Sequence, residues 1–269
     1  MQSLLNAPVP ESVLVVAAHP DDIEFMAGGT LACWGMQGAR IHYLLVTDGA
    51  GGSRDPEQSP EALAALRRLE QREAARRLGV ASVTFLGYAD AHVDATYELR
   101  VAIARVIRQV RPEAVLTFDP HLRYRANLLN HPDHIAVGAS TLGAVMPLAN
   151  THLAAPELAA EGLEPHDVER IYLFETASPT AYMPLEQHHL ERKLYAFQAH
   201  ASQLENWDGE FAIAERAMDT ADAARAQGLD CIYAEDFTCV QLAAPRRTSP
   251  RAVVLEQVLR RQPALAELR

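Results

Sequence analysis

The sequence predicts an α/β layer sandwich built on a mostly parallel β-sheet. Short apolar runs alternate along the chain with segments of helical period, as they do in folds made of strand–helix–strand units. The apolar runs lack polar alternation, which is typical of strands buried on both faces of a parallel sheet. In such folds the ligand site lies beyond the carboxyl ends of the strands. Functional residues are therefore expected directly after the apolar runs.

Five apolar runs predict the strands of this sheet. The first is Val13–Ala18, a continuous stretch rich in β-branched residues. The other four have the same character and comprise Ile41–Val46, Val83–Leu86, Ala114–Phe118 and Ile171–Phe174. Each is far shorter than the roughly 20 apolar residues that span a bilayer. We therefore expect no membrane segment and no signal peptide.

Two helices between these strands are delimited by their end signals. Residues 61–78 follow Ser59, a suitable N-cap, and Pro60, which suits the first helical position. Gly79 stands after the last turn, where glycine commonly ends a helix. Apolar residues across 99–110 recur at i, i+3 and i+4 spacing, and the Arg-Pro pair that follows ends this second helix.

The remaining segments predict further helices and two irregular stretches. The helices are Ile135–Val145, Leu190–His200 and Phe211–Gln227, the last two closing over the sheet. The irregular stretches are Ala149–Asp167 and Ala177–Pro184, which contain proline or glycine at several positions. Because no linker or internal repeat interrupts the pattern, we expect residues 1–269 to form a single domain.

The charge balance and the cysteines exclude several functional classes. Lys and Arg number 24 against 35 Asp and Glu, a formal net charge of -11. An acidic chain offers phosphate backbones no general attraction, so we expect no nucleic-acid partner. The cysteines Cys33, Cys231 and Cys239 are odd in number and form no CxxC pair, which argues against a disulfide framework. A reducing, cytoplasmic setting is the simplest interpretation.

The first chemical motif is His19-Pro20-Asp21-Asp22, directly after the first predicted strand. A His and an Asp three residues apart can turn toward one cation, while the intervening carboxylate could act as a base. The structural alternative is that Asp21 and Asp22 cap the following helix and His19 packs in the core.

The second motif is His131-Pro132-Asp133-His134, at the start of a predicted helix. Taken alone, such a histidine pair is also compatible with a structural role. Together the two motifs supply three nitrogen and oxygen ligands plus spare acid and base groups, which is the composition of a catalytic metal site with an open water position. Ligation by His, Asp and His suits several divalent ions.

The glycine-rich segment Thr47–Arg54 follows the second predicted strand. It matches neither GxGxxG nor GxxxxGK[ST], so a nucleotide site is disfavoured. Its glycines are better explained by a sharp turn or a close approach to a substrate. The absence of a GxSxG motif removes the commonest serine hydrolases of α/β fold.

Five motifs occur in a recognisable order along the chain from about Val13 to Phe237. They are Ala18-His19-Pro20-Asp21-Asp22 with Gly28-Gly29, Thr47-Asp48-Gly49-Ala50-Gly51-Gly52, Arg111-Pro112, His131-Pro132-Asp133-His134, and Lys193 with His200-Ala201-Ser202-Gln203. This series resembles the PIG-L/LmbE family of zinc-dependent de-N-acetylases. The resemblance implies a Rossmann-like three-layer sandwich, and a hydrolase that removes the acetyl group from an N-acetylglucosaminyl-type substrate.

The resemblance also implies the ligands of the metal and the general base. His19, Asp22 and His134 would bind Zn²⁺, with another divalent ion such as Fe²⁺ as an alternative. Asp21 would be the base that takes a proton from the attacking water. Its carboxyl must then lie close to the water without being a ligand.

Two further catalytic roles follow from the same resemblance. His131 would stabilise the tetrahedral oxyanion or protonate the leaving amine, and Asp133 would orient it. As an imidazolium beside Asp133, His131 would bring positive charge to the developing oxyanion.

The resemblance also implies one contact with the substrate. Arg54 would meet the substrate, although it could equally be an ordinary exposed arginine. No role is assigned to His121 or Tyr124, and His200 is expected to belong to a structural hydrogen-bonded group. The implied partner is a small amino-sugar compound, and many members of the family form homo-oligomers.

Three other functions stay open at this point. One is a zinc amidase that acts on a non-sugar amide. Another is a metal-bound sensing protein without turnover, which the presence of Asp21 and His131 argues against. The third is a nucleotide-binding Rossmann protein, which the missing glycine fingerprint disfavours.

Overall fold

The computed structural model describes residues 2–205 and 207–242, and its centre is an eight-stranded sheet. The strands of this sheet are β1 (Gln2–Ser3), β2 (Ser12–Ala17), β3 (Arg40–Thr47), β4 (Ser82–Tyr88), β5 (Ala114–Phe118), β8 (Arg170–Phe174), β9 (Ala181–Leu185) and β10 (Tyr233–Gln241). A small separate hairpin consists of β6 (Tyr124–Arg125) and β7 (Leu128–Leu129). The order across the sheet is β1-β9-β10-β8-β5-β2-β3-β4.

The sheet is parallel except around β10. Neighbours from β4 to β8 all pair in parallel, whereas β10 runs antiparallel to both β8 and β9. The succession β2, β3, β4 extends the sheet in one direction, and β5 and β8 extend it in the other. The direction of winding therefore reverses between β2 and β5, which is where open α/β sheets bind ligands.

Helices cover the sheet in two groups. The helices are α1 (Asp22–Met36), α2 (Pro60–Leu78), α3 (Tyr97–Val110), α4 (Pro132–Gly143), α5 (Pro156–Ala160), α6 (Gln187–Phe197), α7 (Ala201–Leu204) and α8 (Gly209–Arg225). In one group α1, α2 and α8 pack around α6, and in the other α3 packs on α4. Residues Val13 to Ala17 of β2 are completely buried between these layers. The predicted fold class, a Rossmann-like three-layer sandwich with a mostly parallel sheet, is confirmed.

The predicted elements agree with the structure through most of the chain. All five predicted strands are present to within two residues, and α2 begins and ends as its signals indicate. The Ser59 hydroxyl accepts the Ala62 N–H at 3.3 Å, and Gly79 has φ +73°. The predicted helix 135–145 is α4, which ends at Gly143 before an irregular turn that contains Pro147.

The C-terminal third differs from the prediction of helices alone. Strand β9 lies partly within the segment 177–184 expected to be a loop, and β10 had not been expected. Strand β9 was missed because a proline within a segment, here Pro184, argues against a strand. Strand β10 was missed because Glu235 and Asp236 interrupt its apolar pattern. Residues 243–269 lie outside the described residues, so a single domain over 1–269 stays a prediction. Within 2–205 and 207–242, no helix combines the length and apolarity that crossing a membrane requires.

Candidate metal and active site

The motif residues come together at the carboxyl edge of the sheet, beside the point where the winding reverses. His19 follows the end of β2 by two residues, and Asp22 begins α1. His134 lies in the first turn of α4, which follows β5. Two segments that are more than 100 residues apart in sequence therefore meet because β2 and β5 are neighbours in the sheet.

His19, Asp22 and His134, called here the ligand trio, present one ligand atom each within 4.8 Å of one another. The Asp22 carboxylate lies between the two rings, 3.4 Å from His19 Nδ1 and 3.3 Å from His134 Nε2. The three side chains are 9 to 13% exposed. This set of two imidazole nitrogens and one carboxylate suits a catalytic zinc ion, which takes three protein ligands and keeps one position for water.

Carboxylates hold the outer nitrogens of both rings. His19 Nε2 lies 3.1 Å from Asp90 Oδ1 and 3.3 Å from Asp133 Oδ2. His134 Nδ1 lies 3.0 Å from Glu175 Oε2, and its ring stacks on Phe118. Because a carboxylate accepts, each outer nitrogen carries a proton, and the inner nitrogen of each ring is the one that could give its lone pair to a metal once its own proton is released. Partners of this kind orient histidine ligands in metal sites.

Asp90 and Glu175 were not predicted from the sequence. Asp90 follows the end of β4 by two residues, and Glu175 comes directly after β8. Both therefore stand at the same edge of the sheet as the motifs. Their position after a predicted strand was the signal that could have found them.

The site has an excess of negative charge without a cation. Burial lowers the pKa of His19, but the Asp22 charge and hydrogen bonds to Asp133 and Asp90 outweigh it and raise that pKa to about 12. Burial likewise opposes protonation of His134, yet Asp22 and Glu175 raise its pKa to about 9. Without a metal, protonation of His19 and His134 supplies the positive charge. A divalent metal would supply that charge in place of the protons.

Asp21 lies beside the ligand trio, and its side chain does not cap the following helix. It occupies the N-cap position of α1 with φ +104° and makes no side-chain cap hydrogen bond. Its carboxylate accepts a hydrogen bond from Arg67 Nη2 at 3.0 Å and is 23% exposed. Burial raises the pKa of Asp21 to about 6, against the opposing effect of Arg67. The capping alternative therefore fails for the Asp21 carboxyl, whose hydrogen-bond partner is Arg67.

Arg67 is a site residue that the sequence did not indicate. It lies on α2, is buried, and donates to the carbonyl oxygens of Gly49 and Pro20 at 2.9 and 2.6 Å. An arginine within an amphipathic helix gives no sign that it points inward. Its contact with Asp21 joins the first motif to the glycine-rich segment.

His131 and Asp133 lie at the site, but in a different arrangement from the one expected. His131 is the N-cap of α4, and its Nδ1 accepts the Asp133 N–H at 3.2 Å. The Asp133 carboxylate is 4.0 Å from that nitrogen and closer to His19. It also accepts the N–H of Ala91 at 2.8 Å and that of Val93 at 3.2 Å. In this structure His131 Nδ1 is an acceptor, so the expected imidazolium beside Asp133 is not the arrangement seen, and the catalytic role of His131 stays a prediction.

The pKa of His131 agrees with this arrangement. Burial and the neighbouring charge of His19 lower it, and the opposing effect of Asp133 is smaller. The neutral ring with its proton on Nε2 is therefore the stable form at neutral pH.

The other candidate residues lie farther from the chemistry. Arg54 is exposed and lines a groove of about 480 Å³ with Ser202, Gln203 and Trp207. The side chains of His121 and Tyr124 are largely exposed. His200 is completely buried and contacts Glu24 at 3.2 Å, so it belongs to a hydrogen-bonded group as expected.

Comparison with known proteins agrees with these observations. The family model PIG-L, described as GlcNAc-PI de-N-acetylase, matches residues 14–145. A diacetylchitobiose deacetylase from Thermococcus kodakarensis is 35% identical over 201 residues, covering 74% of this chain and 73% of the relative. A 1D-myo-inositol 2-acetamido-2-deoxy-alpha-D-glucopyranoside deacetylase from Thermomonospora curvata is 31% identical, and the match covers 62% of this chain and 60% of that relative.

Solved structures give the same result at the level of the fold. The N,N'-diacetylchitobiose deacetylase of Pyrococcus horikoshii superposes with a TM-score of 0.78 at 28% identity, covering 88% of this chain and 89% of that one. A 4-carboxy-2-hydroxymuconate hydratase from Pseudomonas putida has a TM-score of 0.70 at 24% identity, covers 89% of this chain and all of that one, and shows shared fold alone. On the family match and the 35% identical relative, the chain belongs to the PIG-L family.

Proposed function

We propose that this chain is a metal-dependent N-deacetylase that hydrolyses the acetamido group of an N-acetylglucosaminyl-type substrate. The observation that carries the proposal is the ligand trio with its outer nitrogens held by carboxylates, next to the Asp21 carboxyl, which lies outside the trio and does not cap α1. Members of the family that match most of this chain are named as deacetylases of acetylated amino sugars.

We assign His19, Asp22 and His134 as the metal ligands and Zn²⁺ as the metal. The donor set fits zinc, although Fe²⁺ also accepts two imidazoles and one carboxylate. When bound, the ion polarises the acetyl carbonyl and makes water more acidic. Asp90, Asp133 and Glu175 hold the outer nitrogens of the two rings, so Nδ1 of His19 and Nε2 of His134 would be the ligand atoms.

We assign Asp21 as the general base. Its carboxyl is partly exposed beside the ligand trio and accepts one hydrogen bond, from Arg67. A base works best when its pKa lies near the working pH, and the pKa of Asp21 is raised to about 6. Asp21 would take a proton from the attacking water and pass it to the departing amine.

We assign His131 as a donor toward the developing oxyanion. The Asp133 N–H fixes the neutral tautomer, so Nε2 carries the hydrogen that the ring donates. The Asp133 carboxylate supports this indirectly, because it holds His19 and the segment Ala91–Val93 in place. Arg54 would contact the distal part of the substrate from the groove beside α7.

The alternatives have less support. A non-sugar amide substrate is not favoured by the relatives named above, and a sensing role without turnover does not explain a free carboxyl beside the ligand trio. The fold alone does not distinguish a deacetylase from other enzymes, since a hydratase has the same fold. Homo-oligomeric assembly and a cytoplasmic location stay predictions from the sequence.

The proposal is tested by measuring primary-amine release from a panel of N-acetylglucosaminyl compounds with zinc-loaded protein. The panel should include a chitooligosaccharide, an inositol glycoside and a malate glycoside, with a non-sugar acetamide for comparison. We expect release from the sugars and none from the non-sugar amide. Zinc-loaded protein that releases amine only from the non-sugar amide, or from nothing, would contradict the proposal.

A further inference from the structure

We propose that Gln71 is a positioning residue, whose side-chain amide holds the backbone of Asp21 in the conformation that brings the Asp21 carboxyl to the reaction. Gln71 lies on α2, is completely buried, and is not among the residues assigned above to the metal or the substrate. The inference rests on the proposed function, because Asp21 has a catalytic role only as the general base.

Asp21 has a backbone conformation that needs external support. Its φ of +104° lies in the region that residues with a Cβ rarely adopt. Within 2–205 and 207–242 only three other non-glycine residues have positive φ, and two of them, Ala91 and Glu175, also contact site residues. Strained residues of this kind persist where their surroundings fix them.

Two side chains of α2 fix both polar groups of the peptide unit between Pro20 and Asp21. Gln71 Oε1 accepts the Asp21 N–H at 3.1 Å, and Arg67 Nη2 donates to the Pro20 carbonyl oxygen at 2.6 Å. Arg67 and Gln71 are four residues apart, so they lie on one face of the helix. The peptide cannot rotate toward a relaxed conformation without losing both hydrogen bonds.

The orientation of the Gln71 amide is itself determined by buried groups. Its Nε2 lies 3.1 Å from both carboxylate oxygens of Glu24. Glu24 also faces Nε2 of His200 at 3.2 Å, and Glu24, Gln71 and His200 are all fully buried. Since the Asp21 N–H can only donate, the Gln71 amide oxygen must point to Asp21 and its nitrogen to Glu24. The buried His200 group thereby gains a connection to the active site.

The first test is Gln71→Met, an unbranched replacement that removes the hydrogen bonds of the Gln71 amide to Asp21 and to Glu24. We expect kcat to fall about 10- to 100-fold, as displacement of a catalytic group by about 1 Å can do. KM and the zinc content per chain should stay within about twofold of the unsubstituted enzyme, because Gln71 contacts no ligand residue. In its crystal structure the Asp21 carboxyl should be displaced, with φ no longer positive.

The matched control is Glu70→Met, at the neighbouring position of α2. Glu70 is also buried and accepts two hydrogen bonds from Ser202, without contacting Asp21. We expect a lower Tm in both variants and an unchanged kcat in Glu70→Met. Equal losses of kcat in the two variants would overturn the proposal, as would an unchanged kcat in Gln71→Met.

Glu24→Gln is a milder test, because it leaves the shape of the side chain unchanged. It also tests the proposal if Gln71→Met fails to fold. It leaves the Gln71 amide free to turn over, so we expect kcat to fall about 3- to 10-fold, less than in Gln71→Met. The double variant should be no slower than Gln71→Met alone, because both changes act through the same hydrogen bond. Multiplicative losses of kcat would contradict a shared route through Asp21.

The crystal structures separate this proposal from the proposed function. If zinc-loaded enzyme releases no amine from any substrate, the deacetylase assignment fails, yet the conformation of Asp21 can still be compared between the unsubstituted chain and Gln71→Met. Asp21 that keeps φ near +104° without the Gln71 amide would overturn the positioning role on its own.

Discussion

The ligand trio and the Lys193–Glu235 pair both bury charged side chains, but only the pair is satisfied by the protein itself. Glu235 accepts from Lys193 Nζ at 2.5 Å, from the N–H groups of Gly29 and Thr30, and from the Thr30 hydroxyl. Burial lowers the pKa of Lys193, against the opposing effect of Glu235. The Glu235 carboxylate therefore has its counter-charge and several donors within the fold itself.

At the ligand trio, in contrast, the negative charge of the carboxylates exceeds the positive charge that the side chains supply. Carboxylates from four segments surround two imidazoles, and protons must supply the missing positive charge. Buried carboxylates that lack counter-charge within the fold favour binding of a cation, whereas those paired with a buried lysine stabilise the fold.

Removing one ligand should abolish metal binding. We expect His134→Ala to lose bound zinc and all measurable turnover, because two remaining ligands cannot hold the ion at a catalytic site. Zinc content by elemental analysis after dialysis checks this. Retention of one zinc per chain in His134→Ala would contradict the assignment of the ligand trio.

Removing the proposed base should separate binding from chemistry. We expect Asp21→Asn to keep its zinc and to lose about 10²- to 10⁴-fold in kcat, the usual contribution of a general base. Zinc content and initial rates are measured on the same preparation. Loss of zinc equal to that in His134→Ala would show that Asp21 is a ligand instead.

Breaking the Lys193–Glu235 pair should reduce stability without affecting the metal. Lys193→Met leaves Glu235 buried without its cation, which costs about 3 to 5 kcal/mol of unfolding free energy. Neutralising the partner as well, with Glu235→Gln, should recover part of that loss. Denaturant unfolding gives the free energies, and zinc bound per folded chain should be unchanged. A large loss of zinc would mean that the two regions are coupled.

Without metal, the stability that His134 contributes should fall as the pH rises. Its pKa of about 9 in the folded state lies above 6.5, so protonation stabilises the fold below about pH 6.5 and the contribution is lost as the pH passes 9. We expect the free energy of unfolding of metal-free protein, relative to His134→Gln, to decrease by about 3 kcal/mol between pH 6 and 10. A free-energy difference between the two proteins that does not change with pH would contradict the raised pKa of His134.

The smallest effect is expected at Arg54. An exposed side chain that contacts only a distal part of the substrate contributes about 1 kcal/mol, so Arg54→Ala should raise KM about fivefold with little change in kcat. Initial rates on the best substrate of the panel measure this. An unaltered KM would make Arg54 an ordinary surface residue.

The sequence predicted the elements and residues that carry strong local signals. The buried parallel strands, the ends of α2 and both histidine motifs fall in this group, because each depends on a few neighbouring residues. Strand β10 was missed because its charge at Glu235 is compensated by Lys193, about 40 residues away. Arg67 and Gln71 were missed for the same reason, since their partners Asp21 and Glu24 are distant in sequence.

The glycine pair of the first motif belongs to the surroundings of the Lys193–Glu235 pair rather than to the chemistry. A Cβ on Gly28 would stand 2.9 Å from Lys193 Cγ, and one on Gly29 only 2.5 Å from Leu185 Cδ1. These glycines therefore let α1 lie against the Lys193–Glu235 pair. Local sequence shows that the pair of glycines exists, whereas only the packing shows what it accommodates.

The parallel pairing of β2 with β5 has a consequence for how the chain acquires its metal. The ligand residues are separated by 115 positions and meet only after these two strands have paired. Contacts of such long sequence separation form late, once loop closure has been achieved. Zinc should therefore leave the refolding rate nearly unchanged and slow unfolding instead. Its binding would thus add to the kinetic stability of the folded chain.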